Sequence, residues 1–428
     1  MKAQAKKILI ISYYWPPSGG SGVQRWMYFA KYLKKLGWEP IVITVEESQA
    51  SYPILDSSLL EEVKGIQVIK TKTREPLRWY SHLVSGNSRS GIPQGAVKTK
   101  SLFGKIAAYI RGNYFIPDAR KGWRPYALKA AQQLIQNEKI DKVITTGPPH
   151  SSHWVGLQLK QQFKIRWWVD FRDPWTDIFY NASLYRTART LANDQAQEKT
   201  VLQNADGVIT TVGGKLHEQL KAKAPQQNFT ALPNGYDADL MHATSGKPPK
   251  EVFHIVFTGL LTENQDYKTF LEVLNRFSES YKIRFSLAGN IDPHIIATIK
   301  NASPNIEIQY LGYLSHQKAI ALMKQAHLLL NFIFKGAQTQ MISGKLLEYM
   351  ATEVPILSIG NPQSEAGRFL MQGSAAEMIE AHQLKEIERL LERTIKGKGN
   401  LKNKFPGIEN WSRQALTKRL EGIINEVY

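Results

Sequence analysis

The chain has 428 residues, 43% of them hydrophobic and 21% charged, which is long enough for two globular domains of ordinary composition. It contains no cysteine, so disulfide bonds, thiolate metal sites and a cysteine nucleophile are excluded. The formal net charge of +18 indicates a negatively charged partner: nucleic acid, anionic lipid headgroups or a phosphorylated substrate.

The distribution of hydrophobic and basic residues along the chain bears on the location of the protein and on its negatively charged partner. The run from Ile8 to Ile11 is too short for the core of a signal peptide, and no later run approaches a membrane span. We therefore expect a cytoplasmic protein. Because Lys and Arg are spread over the whole chain and no recognition module is evident, we do not expect nucleic acid as a partner.

The first half of the chain alternates short apolar runs with amphipathic helical stretches. Helices are predicted at Val23–Leu36 and in "PYALKAAQQLIQN". The predicted strands are "KILIIS", "EPIVITV", "IQVIKT", "DKVITTG", "RWWVDF" and "DGVITTV". Strands and helices that alternate in this way are typical of right-handed βαβ units and a parallel sheet.

A second series of the same kind begins near Val252. Its predicted strands are "VFHIVFTG", "IRFSLAG", "IEIQYLG", "HLLLNFIF" and "VPILSIG", with helices in "YKTFLEVLNRFSES", "SHQKAIALMKQA" and "SGKLLEYMATE". The polar stretch "NGYDADLMHATSGKPPK" predicts a linker between the two series. We expect an N-terminal domain of residues 1–236 and a C-terminal domain of residues 237–410, with a last helix in residues 411–428.

A glycine-rich loop follows the first predicted strand. The segment "SYYWPPSGGSGVQRW" holds Gly19, Gly20 and Gly22 just before the first helix. At such a position, free N–H groups and the helix dipole attract phosphate, and glycine allows close approach of a ligand. The loop has neither the G-x-G-x-x-G spacing of a dinucleotide site nor the G-K-[ST] ending of a P-loop. It therefore predicts either a phosphate-binding loop or a simple tight turn.

The opening segment "PPSGGSGVQRWMYFAKYLKKLGWEPIVIT" and seven later segments resemble, in chain order, family-four glycosyltransferases of the bacterial surface-polysaccharide type. The later segments are "VITTGPPHSSH", "WWVDFRDPW", "ADGVITTVGGKLHEQL", "LPNGYD", "IVFTGLL", "YLGYLSHQKAIALM" and "SGKLLEYMATEVPIL". Any one of these segments is common, but the ordered set covers nearly the whole chain. The resemblance implies an α/β fold of two Rossmann-like, doubly wound domains that face one another across a cleft (GT-B), with a C-terminal helix crossing back to the N-terminal domain.

The same resemblance implies a retaining transfer of a sugar from a nucleotide-diphosphate sugar to a glycan or lipid-linked acceptor, with no metal and no other cofactor. The donor would lie mainly on the C-terminal domain and the acceptor mainly on the N-terminal domain, with the backbone N–H groups of Gly19, Gly20 and Gly22 meeting the donor's diphosphate from the N-terminal side. No H-E-x-x-H string occurs, and the D-x-D string formed by Asp237 and Asp239 lies in the predicted linker. Lys, Arg and helix N-termini would then stabilise the charge of the leaving group.

Donor-binding residues are expected where "QMISGKLLEYMATE" stands in place of the family's E-x7-E motif. By resemblance, Glu348 is the second glutamate and approaches the ribose hydroxyls, whereas Gln340 replaces the first glutamate. The backbone near Gly344 would supply the missing contact to the sugar. Lys345 precedes Glu348 by three residues on the same helical face, which predicts a donor contact or an ordinary surface Lys–Glu pair.

The loop "FTGLLTENQDYK" departs from the family pattern after its glycine. Leu260 follows Gly259 where the resemblance predicts an arginine. Lys268 is the candidate phosphate-binding lysine, although a solvent-exposed lysine at a helix start is equally consistent with the pattern. Arg25 and Lys345 are the candidates that would compensate for the missing charge.

On the acceptor side, "VDFRDPWTD" places Asp170, Arg172 and Asp173 at the end of an apolar strand. By resemblance Asp170 is catalytic, with Arg172 and Asp173 lying on the acceptor side. An alternative for Asp173 is a helix N-cap before Pro174. In "TTGPPHSSHWVGL", His150 is a further catalytic candidate and His153 an acceptor-side one, and both also suit a cap or surface position.

The stretch 98–126 is basic and amphipathic. Apolar residues recur at helical spacing from Leu102 to Tyr114, among Lys98, Lys100, Lys105 and Arg111. The pattern predicts peripheral contact with an anionic membrane, at its inner face, or a helix whose apolar side packs on the protein core. Two further functions stay open: a sugar-nucleotide epimerase of the same fold, and a non-catalytic sugar-nucleotide or glycan-binding relative.

Overall fold

The computed structural model describes residues 6–52, 54–75, 102–178, 181, 184–335, 342 and 344–426. Close contacts group the chain into two compact units. The first unit comprises residues 1–233 and 417–428, and the second unit comprises residues 234–416. Gln340, Lys98 and Lys100, for which the sequence makes predictions, lie outside the described residues.

The first unit is built on a parallel sheet of seven strands in the order β3-β2-β1-β4-β5-β6-β7. The strands are β1 (Lys6–Ile11), β2 (Trp38–Val45), β3 (Gln67–Thr71), β4 (Lys142–Gly147), β5 (Arg166–Phe171), β6 (Gly207–Thr210) and β7 (Phe229–Ala231). The helices are α1 (Ser21–Lys35), α2 (Leu59–Glu62), α3 (Leu102–Tyr114), α4 (Arg124–Glu138), α5 (Ser151–Gln162), α6 (Ala188–Asn204) and α7 (Lys215–Lys223).

The direction of winding in the first unit reverses between β1 and β4. Leu9 of β1 pairs with Ile41 of β2 on one side and with Val143 of β4 on the other. The loops that follow β1 and β4 therefore leave neighbouring strands at the same edge. In open α/β sheets, ligands bind at such a reversal of strand order.

The second unit has a parallel sheet of six strands in the order β10-β9-β8-β11-β12-β13. The strands are β8 (Phe253–Thr258), β9 (Ile283–Ala288), β10 (Glu307–Tyr310), β11 (Leu328–Phe332), β12 (Ile356–Ile359) and β13 (Ala376–Ile379). The helices are α8 (Ala238–Ala243), α9 (Tyr267–Ser278), α10 (Pro293–Ala302), α11 (His316–Lys324), α12 (Gly344–Ala351), α13 (Glu365–Leu370), α14 (Leu384–Lys396) and α15 (Arg413–Asn425). Winding reverses between β8 and β11.

The central strands of both sheets are buried along their length, as expected for parallel strands covered on both faces. All six residues of β8 and all five of β11 are buried. Helix α9 adds Phe270, Leu271 and Leu274, which recur at helical spacing and belong to the same core cluster. The core thus fixes the strand ends from which the site loops emerge.

The predicted fold class of two doubly wound α/β units is confirmed. The predicted linker is partly wrong, because residues 238–243 form α8, which Asp237 caps by accepting a hydrogen bond from the Leu240 N–H at 3.0 Å. The sequence also missed the short edge strands β7 and β13. Helix α15 begins in the second unit and continues into residues assigned to the first.

No helix in the described part of the chain has the length and apolar character that a membrane span requires.

Candidate functional site

Three glycines follow neighbouring strands of the second unit. Gly259, Gly289 and Gly312 come after β8, β9 and β10, and all three have positive φ angles, of 117°, 131° and 64°. A Cβ at Gly289 would lie 2.0 Å from the carbonyl oxygen of Gly259, so only glycine fits there. These loops approach one another through bare backbone: the Gly259 N–H donates to Ala288 O at 2.8 Å and the Gly289 N–H to Gly312 O at 2.7 Å.

Lys345 lies over the first of these glycines. It is the second residue of α12, and its Nζ would be 3.4 Å from a Cβ built on Gly259. The same nitrogen lies 3.9 Å from the centroid of the Phe257 ring. No acidic side chain in the described residues pairs with it, and burial lowers the pKa of Lys345 to about 7. A cation held at a helix N-terminus without an anion is suited to bind one.

Glu348 lies one turn further along α12. Its Oε1 interacts with His316 Nε2 at 2.7 Å and accepts a hydrogen bond from Arg413 Nη2 at 3.3 Å. Burial alone would raise the pKa of Glu348, but His316 and Arg413 outweigh it and leave the pKa lowered. The side chain is therefore a carboxylate. Both contacts use Oε1, so within the described structure Oε2 is the oxygen that remains to accept a ligand hydroxyl.

His316 and Arg413 are the site residues that sequence reasoning missed. His316 is the first residue of α11, and Arg413 is the first residue of α15. They lie 32 and 65 residues from Glu348 in the chain, and no local pattern connects them to it. Only the fold brings them together.

Two other predicted donor residues, Gly344 and Lys268, have different surroundings. Gly344 opens α12, where a Cβ would lie 3.8 Å from the side-chain nitrogen of Asn234. Lys268, in contrast, is 64% exposed and pairs with Glu263 at 3.2 Å. This geometry does not support the predicted phosphate contact for Lys268, because an exposed pair of this kind is an ordinary surface feature.

A pocket of about 460 Å³ lies at the same edge of the sheet in the second unit. Residues that follow β8 and β9 line it, among them Leu260, Thr262, Asn290 and His294. Leu260, which stands where the resemblance predicts an arginine, is exposed and brings no charge to this pocket.

In the first unit, Asp170 is fully buried at the end of β5. Its carboxylate accepts hydrogen bonds from Arg25, with Nη2 at 2.6 Å, from Trp26 Nε1 at 2.7 Å and from Thr146 Oγ1 at 2.8 Å. These donors engage both carboxylate oxygens. The predicted catalytic role therefore needs correction, because this carboxylate is a structural anchor with no face open to a substrate.

Arg25 is equally enclosed. Besides Asp170, its Nη1 donates to the carbonyl oxygens of Leu232 at 2.7 Å and Pro233 at 3.1 Å, which are the last residues of the first unit before the chain leaves it. The prediction that Arg25 compensates for the missing arginine of the donor loop is not supported. Its guanidinium instead fixes α1 to β5 and to the departing chain.

His150 and His153 lie at the start of α5, beside the end of β4. The His150 ring stacks on Trp175 at 5.2 Å between centroids, and the His153 ring stacks on Phe171 at 4.8 Å. Burial lowers the pKa of His153 to about 3 and lowers the pKa of His150 well below its ordinary value. Both imidazoles are thus neutral at physiological pH, and the same burial makes them weak proton acceptors.

Gly147 is enclosed by these two rings. A Cβ at this position would lie 2.6 Å from His150 Nδ1 and 2.7 Å from His153 Nε2. Neither nitrogen has a hydrogen-bond partner in the described structure, although Nδ1 of His153 is bonded to Thr145 Oγ1 at 2.9 Å. The predicted alternative of a surface or side-chain cap position is wrong for both histidines.

The cap of α5 comes from elsewhere in the chain. Asp118 accepts hydrogen bonds from the Ser151 N–H at 2.8 Å and from the Ser151 hydroxyl at 2.9 Å. It is separated from Ser151 by 33 residues, so no local capping motif predicts this contact from the sequence. Asp118, and not His150 or His153, therefore provides the side-chain cap of α5.

Arg172 connects the glycine-rich loop to the turn after β4. Its guanidinium donates to the carbonyl oxygens of Gly147, at 3.2 Å, of Gly22 and of Pro148. Burial raises the pKa of the neighbouring Asp173 despite the charge of Arg172. No helix begins at Pro174, so the predicted N-cap role of Asp173 is wrong.

Within the glycine-rich loop, the three glycines have different surroundings. The Gly19 N–H donates to Ile54 O at 2.8 Å, and a Cβ at Gly22 would lie 3.2 Å from Arg172 Nη1. Gly20, with a φ of 90°, has no atom within 4 Å of the position its Cβ would take. Gly20 therefore leaves open space immediately before α1.

Neither unit shows a metal centre in the residues described: no group of three or more His, Asp or Glu side chains there could hold an ion.

Residues 252–392 match the family model described as glycosyl transferases group 1. This stretch is similar to group 1 glycosyltransferase domains. It contains Gly259, Lys345 and Glu348, and the predicted resemblance to glycosyltransferases is thereby confirmed for the second unit. No curated protein sequence matches the chain.

Several solved structures share the fold over nearly the full chain. A glycosyltransferase from Rickettsia africae ESF-5 is 14% identical, with a TM-score of 0.63, covering 99% of this chain and 98% of that one. Sucrose-phosphate synthase from Thermosynechococcus elongatus is 14% identical, with a TM-score of 0.64 and 98% of each chain covered. HepE from Anabaena, solved in complex with UDP-glucose, is 10% identical, with a TM-score of 0.60, covering 98% and 100%.

Proposed function

We propose that the protein transfers a sugar from a nucleotide-diphosphate sugar to a glycan or lipid-linked acceptor. The observation that carries this proposal is Lys345, an ammonium group placed over Gly259 at the N-terminus of α12 with no acidic partner among the described residues. A diphosphate supplies the anion that this position lacks. The group 1 domain match and the UDP-glucose complex of HepE, a protein of the same fold, support the same ligand class.

The donor would be bound through three contacts in the second unit. Lys345 and the N-terminus of α12 would bind the diphosphate, and Oε2 of Glu348 would accept hydrogen bonds from the ribose hydroxyls. As the glycosidic bond breaks, negative charge builds on the diphosphate, and Lys345 would stabilise it. We infer that this cation and the helix dipole replace a metal ion, so that transfer is metal-independent.

The acceptor would be bound in the first unit, at the ends of β1 and β4. Gly20 leaves open space there, and Arg172 ties the glycine-rich loop to the turn that carries His150. His150 is the candidate base by its position at this turn, although its Nδ1 is buried against Gly147 and burial lowers its pKa, so it would have to become accessible when the acceptor binds. We propose retention of anomeric configuration on the family resemblance alone.

Nucleotide binding tests this proposal directly. Thermal-shift and calorimetric titrations of the wild type with UDP, GDP and their glucose and mannose conjugates should reveal at least one that binds. Lys345→Met should weaken that binding at least tenfold, whereas Lys268→Met, the matched exposed lysine of the same unit, should not. If no nucleotide stabilises the wild type at millimolar concentration, the proposal is wrong.

Two outcomes separate the alternatives. Conversion of a nucleotide-sugar without an acceptor, into an isomer of the same mass, would indicate an epimerase. Saturable binding without any turnover would indicate a binding protein. Gln340 and Leu260 are the reason to test this alternative, because each replaces a charged residue of the family's donor site. Transfer that persists after dialysis against EDTA would support metal independence.

A further inference from the structure

Helix α3 has an apolar face that is exposed to solvent. Ile106, Tyr109, Ile110 and Tyr114 recur at spacings of three and four residues and therefore share one side of the helix. They are between 43% and 66% exposed. Ala108 and Gly112 are buried on the other side, so α3 is attached to the protein through its small residues and presents its large ones outward.

A second element lies against α3 and extends this face. A Cβ on Gly112 would be 2.4 Å from the Leu184 carbonyl oxygen, and Asn113 accepts a hydrogen bond from the Thr187 N–H at 2.8 Å while donating to Tyr185 O at 3.1 Å. These contacts place the backbone of Leu184–Thr187 against α3, and α6, which carries Leu191 in its first turn, follows directly. Tyr185 and Leu191 are exposed, and with the exposed face of α3 they define the α3–α6 patch (Ile106, Tyr109, Ile110, Tyr114, Tyr185 and Leu191).

The two chain segments that carry the α3–α6 patch contain basic residues and no acidic ones. Residues 102–117 and 184–193 include Lys105, Arg111, Arg186 and Arg189 and no acidic residue. The nearest acids in the chain are committed to structure, since Asp118 caps α5 and Asp194 is buried against Arg186 at 2.7 Å. Exposed aromatic and aliphatic side chains in a basic field are the combination that anionic lipid surfaces bind.

We propose that the α3–α6 patch docks the first unit onto the surface of an anionic phospholipid bilayer. Its apolar side chains would enter the headgroup region, while Lys105 and Arg189 contact phosphate. Charge complementarity selects this partner over a second copy of the same chain, since two copies would bring like charges together in a protein of net charge +18. The proposal is independent of donor binding, and it would hold the acceptor-side unit beside a lipid-linked substrate.

Vesicle co-sedimentation tests the proposal. Wild-type protein should bind vesicles containing about 30% phosphatidylglycerol, bind pure phosphatidylcholine at least tenfold more weakly, and lose most binding in 0.5 M salt because surface charges are screened. Ile110→Glu combined with Tyr185→Glu should reduce binding at least tenfold. Leu60→Glu, which changes an exposed leucine on α2 of the same unit, is the matched control and should bind as the wild type does.

Three results would overturn the proposal. These are absence of wild-type binding to phosphatidylglycerol vesicles, unchanged binding of the double variant, and a wild-type dimer in sedimentation equilibrium that the double variant abolishes. The last would assign the patch to self-association. Nucleotide thermal shifts of the double variant should match those of the wild type, which verifies folding and keeps failure of membrane docking distinct from failure of donor binding.

Discussion

The ammonium nitrogen of Lys345 lies 3.9 Å from the centroid of the Phe257 ring, and among the described residues no carboxylate pairs with it. The aromatic face offers partial compensation through a cation–π contact, but the charge still carries a desolvation cost in the absence of a ligand. We therefore expect an anionic ligand to bind beside Lys345 and to offset this cost.

Replacement of Lys345 by methionine should have opposite effects on binding and on stability. Nucleotide affinity should fall at least tenfold, while the unliganded protein should become more stable because a buried amine is removed. Melting temperature with and without nucleotide measures both effects. Lys268→Met should change neither, and a Lys345→Met protein that is less stable and binds nucleotide normally would contradict the assignment.

The lowered pKa of Lys345, about 7 against an ordinary value of 10.5, predicts a pH dependence. Between these values the unfolded chain holds a proton that the folded protein lacks, so the unliganded stability due to this group rises with pH across that window. Bound diphosphate favours the ammonium form, so binding takes up a proton and nucleotide-sugar affinity falls as the pH rises from about 7 to 9.

Calorimetry in buffers of different ionisation enthalpy measures that proton uptake. Lys345→Arg keeps the charge at every pH tested and should abolish the uptake. An affinity that is flat from pH 6 to 9 in the wild type would show that Lys345 does not contact the donor.

Glu348 to glutamine keeps the shape of the side chain and removes its charge. His316 and Arg413 both contact Oε1 of the carboxylate, so these contacts lose their charge assistance in the glutamine variant. The second oxygen, which we propose accepts hydrogen bonds from the ribose hydroxyls, also loses its negative charge. We expect transfer to fall at least tenfold with the fold preserved. Steady-state rates together with circular dichroism decide this, and a wild-type rate in a folded variant would remove Glu348 from the site.

The Arg25–Asp170 pair predicts a stability effect in the first unit. Arg25→Met leaves the Asp170 carboxylate buried with only neutral donors, and the loss of one partner of a buried pair costs about 3–5 kcal/mol. The double variant Arg25→Met/Asp170→Asn should recover part of that loss. Urea unfolding measures both variants, and a loss for Arg25→Met no larger than that for the exposed Lys268→Met would contradict the structural role.

Gly147 should tolerate no side chain. Alanine would place its Cβ within 2.7 Å of both imidazoles, which are fixed by stacking, and overpacking of this kind costs about 1–3 kcal/mol. Gly422→Ala in α15, where nothing lies within 4 Å, is the matched control and should stabilise the protein by about 0.5–1 kcal/mol. Equal melting temperatures for the two variants would contradict the packing seen around Gly147.

The sequence predicted the architecture well because hydrophobic periodicity is a local signal. β5 was predicted with its observed bounds, and β1, β4 and β8 within one or two residues. The short edge strands β7 and β13 carry too few apolar residues to be distinguished from loops. Residues 238–243 form a helix that a polar, proline-flanked composition obscured.

The site could be predicted only in part. Glu348 was singled out by the resemblance of its segment to the E-x7-E motif and Lys345 by its place one turn earlier on the same helical face, whereas His316 and Arg413 are distant from them in sequence. Lys268 illustrates the opposite error: the motif placed a lysine near the donor loop, but its side chain turns to Glu263 in solvent. For Asp170, the position at a strand end suggested an accessible carboxylate. Its burial against Arg25 depends on tertiary packing, which sequence spacing does not reveal.

Arg413, which donates to Glu348, is the first residue of the helix that ends the described chain. A premature stop codon or a proteolytic cut before this position would remove Arg413, one of the two side chains that contact the Glu348 carboxylate 65 residues earlier in the chain. Shortening the C-terminus to before Arg413 would therefore alter the candidate donor site and not only the end of the chain. A fragment made to study donor binding alone must therefore extend beyond residue 413.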